Sequence, residues 1–523
     1  MEKTANLPVS KTIKPAAYDR NILTVAKGGG VTYAGKLFLS VTRIVTSVLL
    51  ARLLGANQYG MYTLALSASN IAVGIAVFGL DSALIRYVAI LANRRDEKGL
   101  WGALQVGIGT AMLLSVLTGT FLFAFATIIA ERTFQEPQLA PLLQLVSVIV
   151  PFLTLSEILA GANRGFKRMD YAVIAQFVAQ PVIRLVLIGI LAFSGFNTVH
   201  AILTFGLADL SASLLLLYYL NKEFSLKRSL LHARRDLREI FNFSIPFWLS
   251  DMMLWLKNNL QPLLIGTLNT ITGVGVFSIV NNITRVSGEF ASSINTSSKP
   301  IIAELHDRGD VKQLGRIYQT ANKWNVMVQL PIFLIMVLFP GQILSIFGSS
   351  FAAGATTLVV LAFADLVSVG TGMGGTIIDM TGYTKLKLLN STIRIALYFI
   401  LDILLIPRFG LIGAAMAILL GELVVNLLRL IQVFVLFRIL PFNRSFAKPV
   451  TSIGLALACS MLLNIWFPAD SNYFMTILHM VLVVMIYAAA ILSLGLNEEE
   501  RTMLVHARQR VQRMVSRSQR EHT

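Results

Sequence analysis

The sequence has few charged residues and a single cysteine. Asp, Glu, Lys and Arg together make up 14% of the chain, whereas soluble globular domains carry about a quarter. Because Cys459 is alone, an internal disulfide is excluded, and no clustered His or Cys shows the spacing of metal ligands. We therefore expect neither a separate soluble domain nor a metal or other cofactor.

Apolar residues are abundant instead. Hydrophobic residues are 55% of the chain, and the mean hydropathy is +0.70. Runs of roughly twenty apolar residues, long enough to cross the hydrocarbon core, recur from Ala26 to Gly495. They predict an all-α polytopic membrane protein with about fourteen transmembrane helices. The predicted spans are 28–53, 60–90, 100–129, 139–162, 170–194, 198–220, 240–267, 273–300, 316–347, 355–378, 386–406, 411–438, 446–467 and 473–495.

Lys and Arg are concentrated in alternate connections between these spans. Since such residues are retained on the cytoplasmic side of short loops, both termini are predicted to face the cytoplasm of a cell (inner or plasma) membrane. The net charge of +17 follows from the same bias and favours anionic lipid headgroups over nucleic acid. The loop cations are Arg94, Arg95, Lys98, Arg164, Lys167, Arg168, Lys222, Lys227, Arg228, Arg234, Arg235, Arg238, Arg308, Lys312, Arg316, Lys385, Lys387, Arg438, Arg444 and Lys448.

The chain also repeats itself at a shift of 214 residues, which places Arg43 over Lys257 and Asp96 over Asp310. Repeats with an even number of helices run parallel and predict two pseudo-symmetric lobes with a cleft between them. The predicted organisation is a cytoplasmic tail at 1–27, an N-lobe of helices 1–6 at 28–221, a cytoplasmic linker at 222–238, a C-lobe of helices 7–12 at 239–438, helices 13 and 14 at 446–495, and a basic amphipathic cytoplasmic tail at 497–523. This last tail is expected to lie on the inner leaflet, with docking of a partner enzyme as the alternative.

Charges inside the spans are informative because each costs at least about 2.5 kcal/mol unless it faces protein or water. Lys36 and Arg43 lie on one face of helix 1, and Lys257 of helix 7 falls under Arg43 in the repeat. We interpret the polar faces of helix 1 and helix 7 that carry these residues as walls of a hydrated cationic cavity. Such a cavity suits an anionic solute, since Arg donates two hydrogen bonds at once to phosphate oxygens. The candidate binding residues are Arg43, Lys257, Arg285, Arg184, Arg394, Lys36, Asn281 and Gln180.

A structural role for the same cations is the competing interpretation. Arg184 and Arg394 have Asp209 and Asp402 as candidate partners, and Arg285 has Glu289 one turn away. The acids Asp209, Asp251 and Glu289 are also candidates for proton or Na⁺ coupling.

Several stretches resemble polysaccharide-biosynthesis flippases of the Wzx type, in the multidrug/oligosaccharidyl-lipid/polysaccharide exporter superfamily. The run Ala51-Arg52-Leu53-Leu54-Gly55, then Tyr59-Gly60-Met61-Tyr62, and the run from Phe78 to Ala89 are similar to the first two helices of that family. Gly165-Phe166-Lys167-Arg168 and Gly382-Tyr383-Thr384-Lys385 resemble the loops that open its next helices. The resemblance extends to about Gly495.

This resemblance implies two six-helix bundles arranged as a V, with two further C-terminal helices. It implies a polyprenyl-pyrophosphate-linked oligosaccharide as substrate, moved to the outer leaflet by alternating access, and a polysaccharide polymerase and export machinery as potential partners. A multidrug cation antiporter and a lipid II flippase of the same superfamily are the nearest alternatives. A membrane polymerase or glycosyltransferase is disfavoured, because the outer loops, such as 268–272 and 347–353, are short, so we expect no enzyme.

Overall fold

The computed structural model describes residues 15–225, 233, 237–443, 446–466 and 473–493. The predicted amphipathic tail at 497–523 lies outside these residues, as does most of the predicted tail at 1–27.

The described residues are predominantly helical and contain no strand. The helices are α1 Pro15–Val77, α2 Leu80–Arg94, α3 Glu97–Ile128, α4 Leu139–Gly165, α5 Met169–Ala172, α6 Gln180–Leu191, α7 Thr198–Glu223, α8 Leu237–Leu268, α9 Ile271–Asp307, α10 Val311–Leu338, α11 Pro340–Ser345, α12 Ala355–Gly370, α13 Gly374–Met380, α14 Thr384–Phe437, α15 Ala447–Trp466 and α16 Tyr473–Ser493. Short π-helical segments at Ile129–Thr133 and Val173–Ala179 extend α3 and join α5 to α6.

Nine helical segments of the described chain are long and apolar enough to cross a membrane. Two of them, Gly35–Arg94 and Thr384–Phe437, each carry two predicted spans, because the chain bends at Gly55 (φ 70°) and at Gly410 (φ 56°). The remaining predicted spans fall on α8, α9 and α15. The prediction of an all-α polytopic membrane protein is confirmed.

The outer surface of the bundle is apolar, as a lipid-facing surface must be. On α3, Leu113 and Phe121 are each 62% exposed and Leu117 is 56% exposed. These residues lie four apart and so form one ridge along the helix. Their exposure to water would be unfavourable, whereas the hydrocarbon core accepts them without cost.

The internal repeat has a structural counterpart where α3 and α10 begin. Asp96 accepts a hydrogen bond from the Gly99 amide at 2.9 Å, and Asp310 accepts one from the Gln313 amide at 2.9 Å. Asp is a favoured N-cap because its carboxylate satisfies an amide that has no partner within the helix. The preceding residue has a positive φ in both places, 55° at Arg95 and 69° at Gly309.

By internal contacts the chain divides into unit 1, Met1–Gly275, and unit 2, Val276–Thr523. Unit 1 includes α8, which packs on α1 through two tryptophans. The indole of Trp248 donates to the Gly74 carbonyl at 3.1 Å, and a Cβ on Gly74 would lie 3.0 Å from the Trp255 ring. The lobe boundaries at 28–221 and 239–438 rest on the repeat and stay a prediction.

Helices α15 and α16 belong to unit 2 and pack on α10. The Tyr487 hydroxyl donates to the Met327 carbonyl at 2.9 Å, and Val326, Leu330 and Leu334 of α10 share one buried cluster with Tyr487. The Ser460 hydroxyl and the His479 ring lie 3.1 Å apart and join the two helices.

Candidate functional site

Helix α1 carries exposed cations as well as buried hydroxyl groups that are bonded to their own helix. Thr42 donates to the Phe38 carbonyl at 2.9 Å, and Thr46 donates to the Thr42 carbonyl at 2.8 Å. Such bonds inside the helix satisfy these hydroxyls without a partner from another helix. Lys36 and Arg43, in contrast, are exposed in unit 1 within a candidate membrane span. Two turns apart, they present two positive charges along one face.

Lys257 lies half-buried on α8, in the same unit as Arg43. Near it, the buried Asn259 accepts a hydrogen bond from Asn70 at 3.2 Å and donates to the Trp255 carbonyl at 2.9 Å. The first of these bonds joins α8 to the second half of α1, and the second lies within α8. Asp251, a candidate for ion coupling, is half-buried on α8.

The second group of predicted residues lies together inside unit 1, between α6 and α7. Gln180 donates to Asp209 at 3.1 Å. The Arg184 guanidinium bonds the Tyr62 hydroxyl and stacks over the Phe205 ring at 5.1 Å. Arg184 and Asp209 also interact electrostatically. The structure therefore brings Gln180, Arg184 and Asp209 into one network, which holds Arg184 within the bundle.

Sequence reasoning missed two members of the polar interior of unit 1. One is Tyr62, the partner of Arg184. The other is Glu157 of α4, which interacts with Arg164 and Asp81. The signal for Glu157 was present, since a carboxylate in an apolar run of a predicted span requires a polar partner. Tyr62 stands in the family-like run Tyr59-Gly60-Met61-Tyr62, but nothing in that run indicates Arg184 as its partner.

Unit 2 holds a matching network within α14, which doubles back at Gly410. The Glu422 carboxylate accepts hydrogen bonds from the Tyr398 hydroxyl at 2.6 Å and from Asn426 at 2.8 Å. Arg394 lies 3.5 Å from the same carboxylate. Arg394 is thus paired with Glu422 and not with Asp402, the partner considered from the sequence.

The remaining predicted residues of unit 2 lie on α9. Arg285 and Glu289 are exposed, and Asn281 is half-buried. Within the part of the chain that the structure describes, no ion pair joins Arg285 to Glu289. The described residues also contain no group of three or more His, Cys, Asp or Glu that could hold a metal ion.

Solved structures define the class of protein to which this fold belongs. A lipid II flippase MurJ in an inward closed conformation superposes with a TM-score of 0.70 at 13% identity, covering 88% of this chain and 97% of that chain. At this identity the likeness shows the fold alone, which is that of a multi-pass helical membrane transporter.

Sequence comparison then defines the family. A family model described as polysaccharide biosynthesis protein matches residues 25–306, which is more than half of the chain, and a second model, MatE, matches residues 246–404. The chain belongs to the polysaccharide biosynthesis protein family, within the multidrug/oligosaccharidyl-lipid/polysaccharide exporter superfamily. The resemblance seen in the sequence is confirmed.

Two curated relatives illustrate the range of the family. "Stage V sporulation protein B" of Bacillus subtilis is 23% identical over 84% of this chain and 88% of its own length. "Probable flippase AglR" of Haloferax volcanii is 27% identical over 40% of this chain and 43% of its own length.

Proposed function

We propose that this protein is a flippase that moves a polyprenyl-pyrophosphate-linked oligosaccharide from the cytoplasmic to the outer leaflet of the cell membrane. The product would serve the assembly of an O-antigen, exopolysaccharide or capsule. The observation that carries this proposal is the match to the polysaccharide biosynthesis family over residues 25–306. The name of the relative AglR supports it, because it is that of a flippase.

The exposed cations are the proposed ligands of the pyrophosphate. Lys36 and Arg43 on α1 and Arg285 on α9 are exposed, and Lys257 is half-buried. A cation inside a span is costly unless it faces water or an anion, and a guanidinium matches phosphate oxygens through paired donors. Gln180 and Asn281 are proposed to bind sugar hydroxyls. Arg184, which bonds Tyr62, and Arg394, which pairs with Glu422, are proposed to attract the anionic headgroup while these bonds hold their side chains in place.

Transport is proposed to proceed by alternating access between the two predicted lobes, with both termini in the cytoplasm. An inside-negative potential of about 100 mV supplies about 2.3 kcal/mol per charge and drives the anionic headgroup outward. Obligatory ion coupling is therefore not required for directionality, although Asp209, Asp251 and Glu289 remain the proposed coupling candidates. A polymerase and export machinery are the proposed consumers of the product.

A multidrug antiporter shares the superfamily, as the MatE match over 246–404 indicates. Its substrates are cations, and the proposed binding residues Lys36, Arg43 and Lys257 of unit 1 would repel them. The charge of the candidate residues therefore favours an anionic substrate.

The test is glycan export in cells that depend on this gene, with Arg43→Ala and Lys257→Ala at normal membrane levels. Each variant is expected to lower export at least tenfold, the equivalent of about 1.4 kcal/mol in substrate or transition-state binding. Arg308→Ala is the matched control, because Arg308 is an exposed cation paired with Glu304 at the end of α9. Intact export in both Arg43→Ala and Lys257→Ala would refute the site, and drug resistance without a glycan phenotype would refute the function.

A further inference from the structure

Arg86 of α2 stacks on an aromatic ring of α8 within unit 1. Its guanidinium carbon lies 4.6 Å from the centre of the Phe243 ring and 5.8 Å from the centre of the Tyr87 ring. Tyr87 is itself held in place, because its hydroxyl donates to the Glu239 carbonyl at 3.1 Å. Stacking holds a guanidinium by its face and leaves the N–H groups at its edge available. The ring of Phe243 therefore orients Arg86 without using its hydrogen-bond donors.

The donors of Arg86 have no protein partner among the described residues. Arg86 is exposed, and within that part of the chain it forms neither a hydrogen bond nor an ion pair. Glu239 of α8 acts electrostatically on Tyr87, yet it does not pair with Arg86. The guanidinium lies within the candidate membrane span Gly35–Arg94, where a charge is costly unless it meets water or an anion. The five N–H donors of Arg86 are thus open to a ligand.

Another stacked arginine of unit 1 has a different environment. Arg168 lies over the Tyr171 ring at 4.1 Å. It also forms ion pairs with Asp170 at 3.4 Å and with Glu223 at 3.5 Å. Two carboxylates therefore neutralise Arg168, whereas the charge of Arg86 stays available to an anion.

The position of Arg86 places it near the inner leaflet. It lies two turns before the end of α2 at Arg94, which is about 12 Å along the helix axis, and Arg94 is predicted to be cytoplasmic. Helix α8 starts on the same predicted side. One turn after Phe243, and so about 6 Å deeper, the Phe247 ring stacks on Phe243 at 4.7 Å and is 45% exposed. An open guanidinium thus lies next to an exposed apolar ring that extends into the hydrocarbon region.

We propose that Arg86, Phe243 and Phe247 form a binding site for a membrane phospholipid of the inner leaflet. Arg86 binds the phosphodiester through paired N–H donors, and Phe247 contacts the beginning of an acyl chain. A phosphodiester carries one negative charge, which matches one guanidinium, whereas a pyrophosphate carries more charge than this site neutralises. The inference goes beyond the proposed flippase activity, because the lipid carries no glycan and the site uses none of the cations proposed to bind the pyrophosphate.

Native mass spectrometry of the purified full chain, titrated with phosphatidylglycerol in detergent, tests the proposal. Arg86→Gln is expected to raise the Kd of the tightest-bound lipid about tenfold, because it removes charge-assisted hydrogen bonds. Arg86→Lys should recover only part of the affinity, since an ammonium lacks the planar fork of donors. Arg168→Gln is the matched control and should bind phosphatidylglycerol like the wild type, because Arg168 is already neutralised. A diacylglycerol with the same chains should not distinguish these variants.

Phe247→Ala provides a second test that does not alter a charge. Its side chain is exposed, so we expect this variant to fold, as circular dichroism can verify, and to lose affinity for long-chain but not for short-chain phosphatidylglycerol. Unchanged affinity in Arg86→Gln and Phe247→Ala would overturn the proposal, as would an equal loss in Arg168→Gln. Displacement of the lipid by inorganic phosphate would show a site for a soluble anion instead. Tighter, Arg86-dependent binding of a polyprenyl pyrophosphate would assign the site to the transported lipid and refute a phospholipid site.

Discussion

Gln180 and Asp209 face each other across a helical hairpin that turns at Gly195, with the amide nitrogen 3.1 Å from the carboxylate. Arg394 and Glu422 occupy the corresponding places in unit 2, across the turn at Gly410. In the repeat, Gln180 falls under Arg394 at the shift of 214 residues, and Asp209 falls one residue from the counterpart of Glu422. In each unit, an acidic residue on the second helix of a hairpin therefore binds a polar side chain on the first helix.

Removal of the amide should destabilise unit 1. Gln180→Ala leaves the Asp209 carboxylate without its donor, which costs about 1–3 kcal/mol. Thermal unfolding in detergent, followed by circular dichroism of the helices, measures the change. Gln138→Ala is the control, since Gln138 is exposed before α4. Equal unfolding temperatures for the two variants would show that the hydrogen bond between Gln180 and Asp209 does not stabilise the protein.

The hydrogen bond between Tyr398 and Glu422 predicts a comparable loss in unit 2. Tyr398→Phe removes a donor that lies 2.6 Å from a carboxylate, and hydrogen bonds to charged groups contribute about 1.5–3 kcal/mol. Tyr383→Phe is the control because Tyr383 is 37% exposed and its ring contact with Phe437 survives the change. If Tyr398→Phe were as stable as Tyr383→Phe, the hydrogen bond between Tyr398 and Glu422 would make no contribution to the free energy of unfolding.

The two aspartate caps should respond alike. Asp96→Ala and Asp310→Ala each remove the acceptor for an amide at 2.9 Å, and loss of an N-cap costs about 0.5–2 kcal/mol. Asp96→Asn and Asp310→Asn retain a capping oxygen and should recover most of the stability. Chemical unfolding of the four variants compares the sites, and a loss at one site alone would weaken the structural equivalence of α3 and α10.

A reciprocal pair of glycines permits close approach of α1 and the first turn of α9 within unit 1. A Cβ on Gly60 would lie 2.0 Å from the Ile271 carbonyl oxygen, and a Cβ on Gly275 would lie 2.0 Å from the Ala56 carbonyl oxygen. Gly60→Ala and Gly275→Ala should therefore separate these backbones and lower the unfolding midpoint. Gly109→Ala on α3 meets no atom within 4 Å and should instead stabilise its helix by about 0.5–1 kcal/mol. Equal effects at all three positions would contradict the packing.

The pairing of Arg394 shows how much of the candidate site was accessible from the sequence. The sequence located the charge in a span and required a partner, but Asp402 and Glu422 were both available on the same long helix. The turn at Gly410 decides between them, because it folds the second half of α14 back so that residues at similar distances from the turn meet. Matching polar residues at similar distances on either side of Gly195 and of Gly410 would have indicated both pairs, Gln180 with Asp209 and Arg394 with Glu422.

By itself the sequence determined the membrane class, the approximate positions of the spans, and the repeat that aligns Asp96 with Asp310. These features depend on hydropathy and on residues close together in the chain. Only the tertiary structure decided that Arg184 bonds Tyr62, that Arg394 pairs with Glu422, and that Ser287 meets both Asp365 and Gln329. A polar group inside a membrane bundle must be satisfied by whichever helix packs beside it, and that neighbour is set by long-range packing.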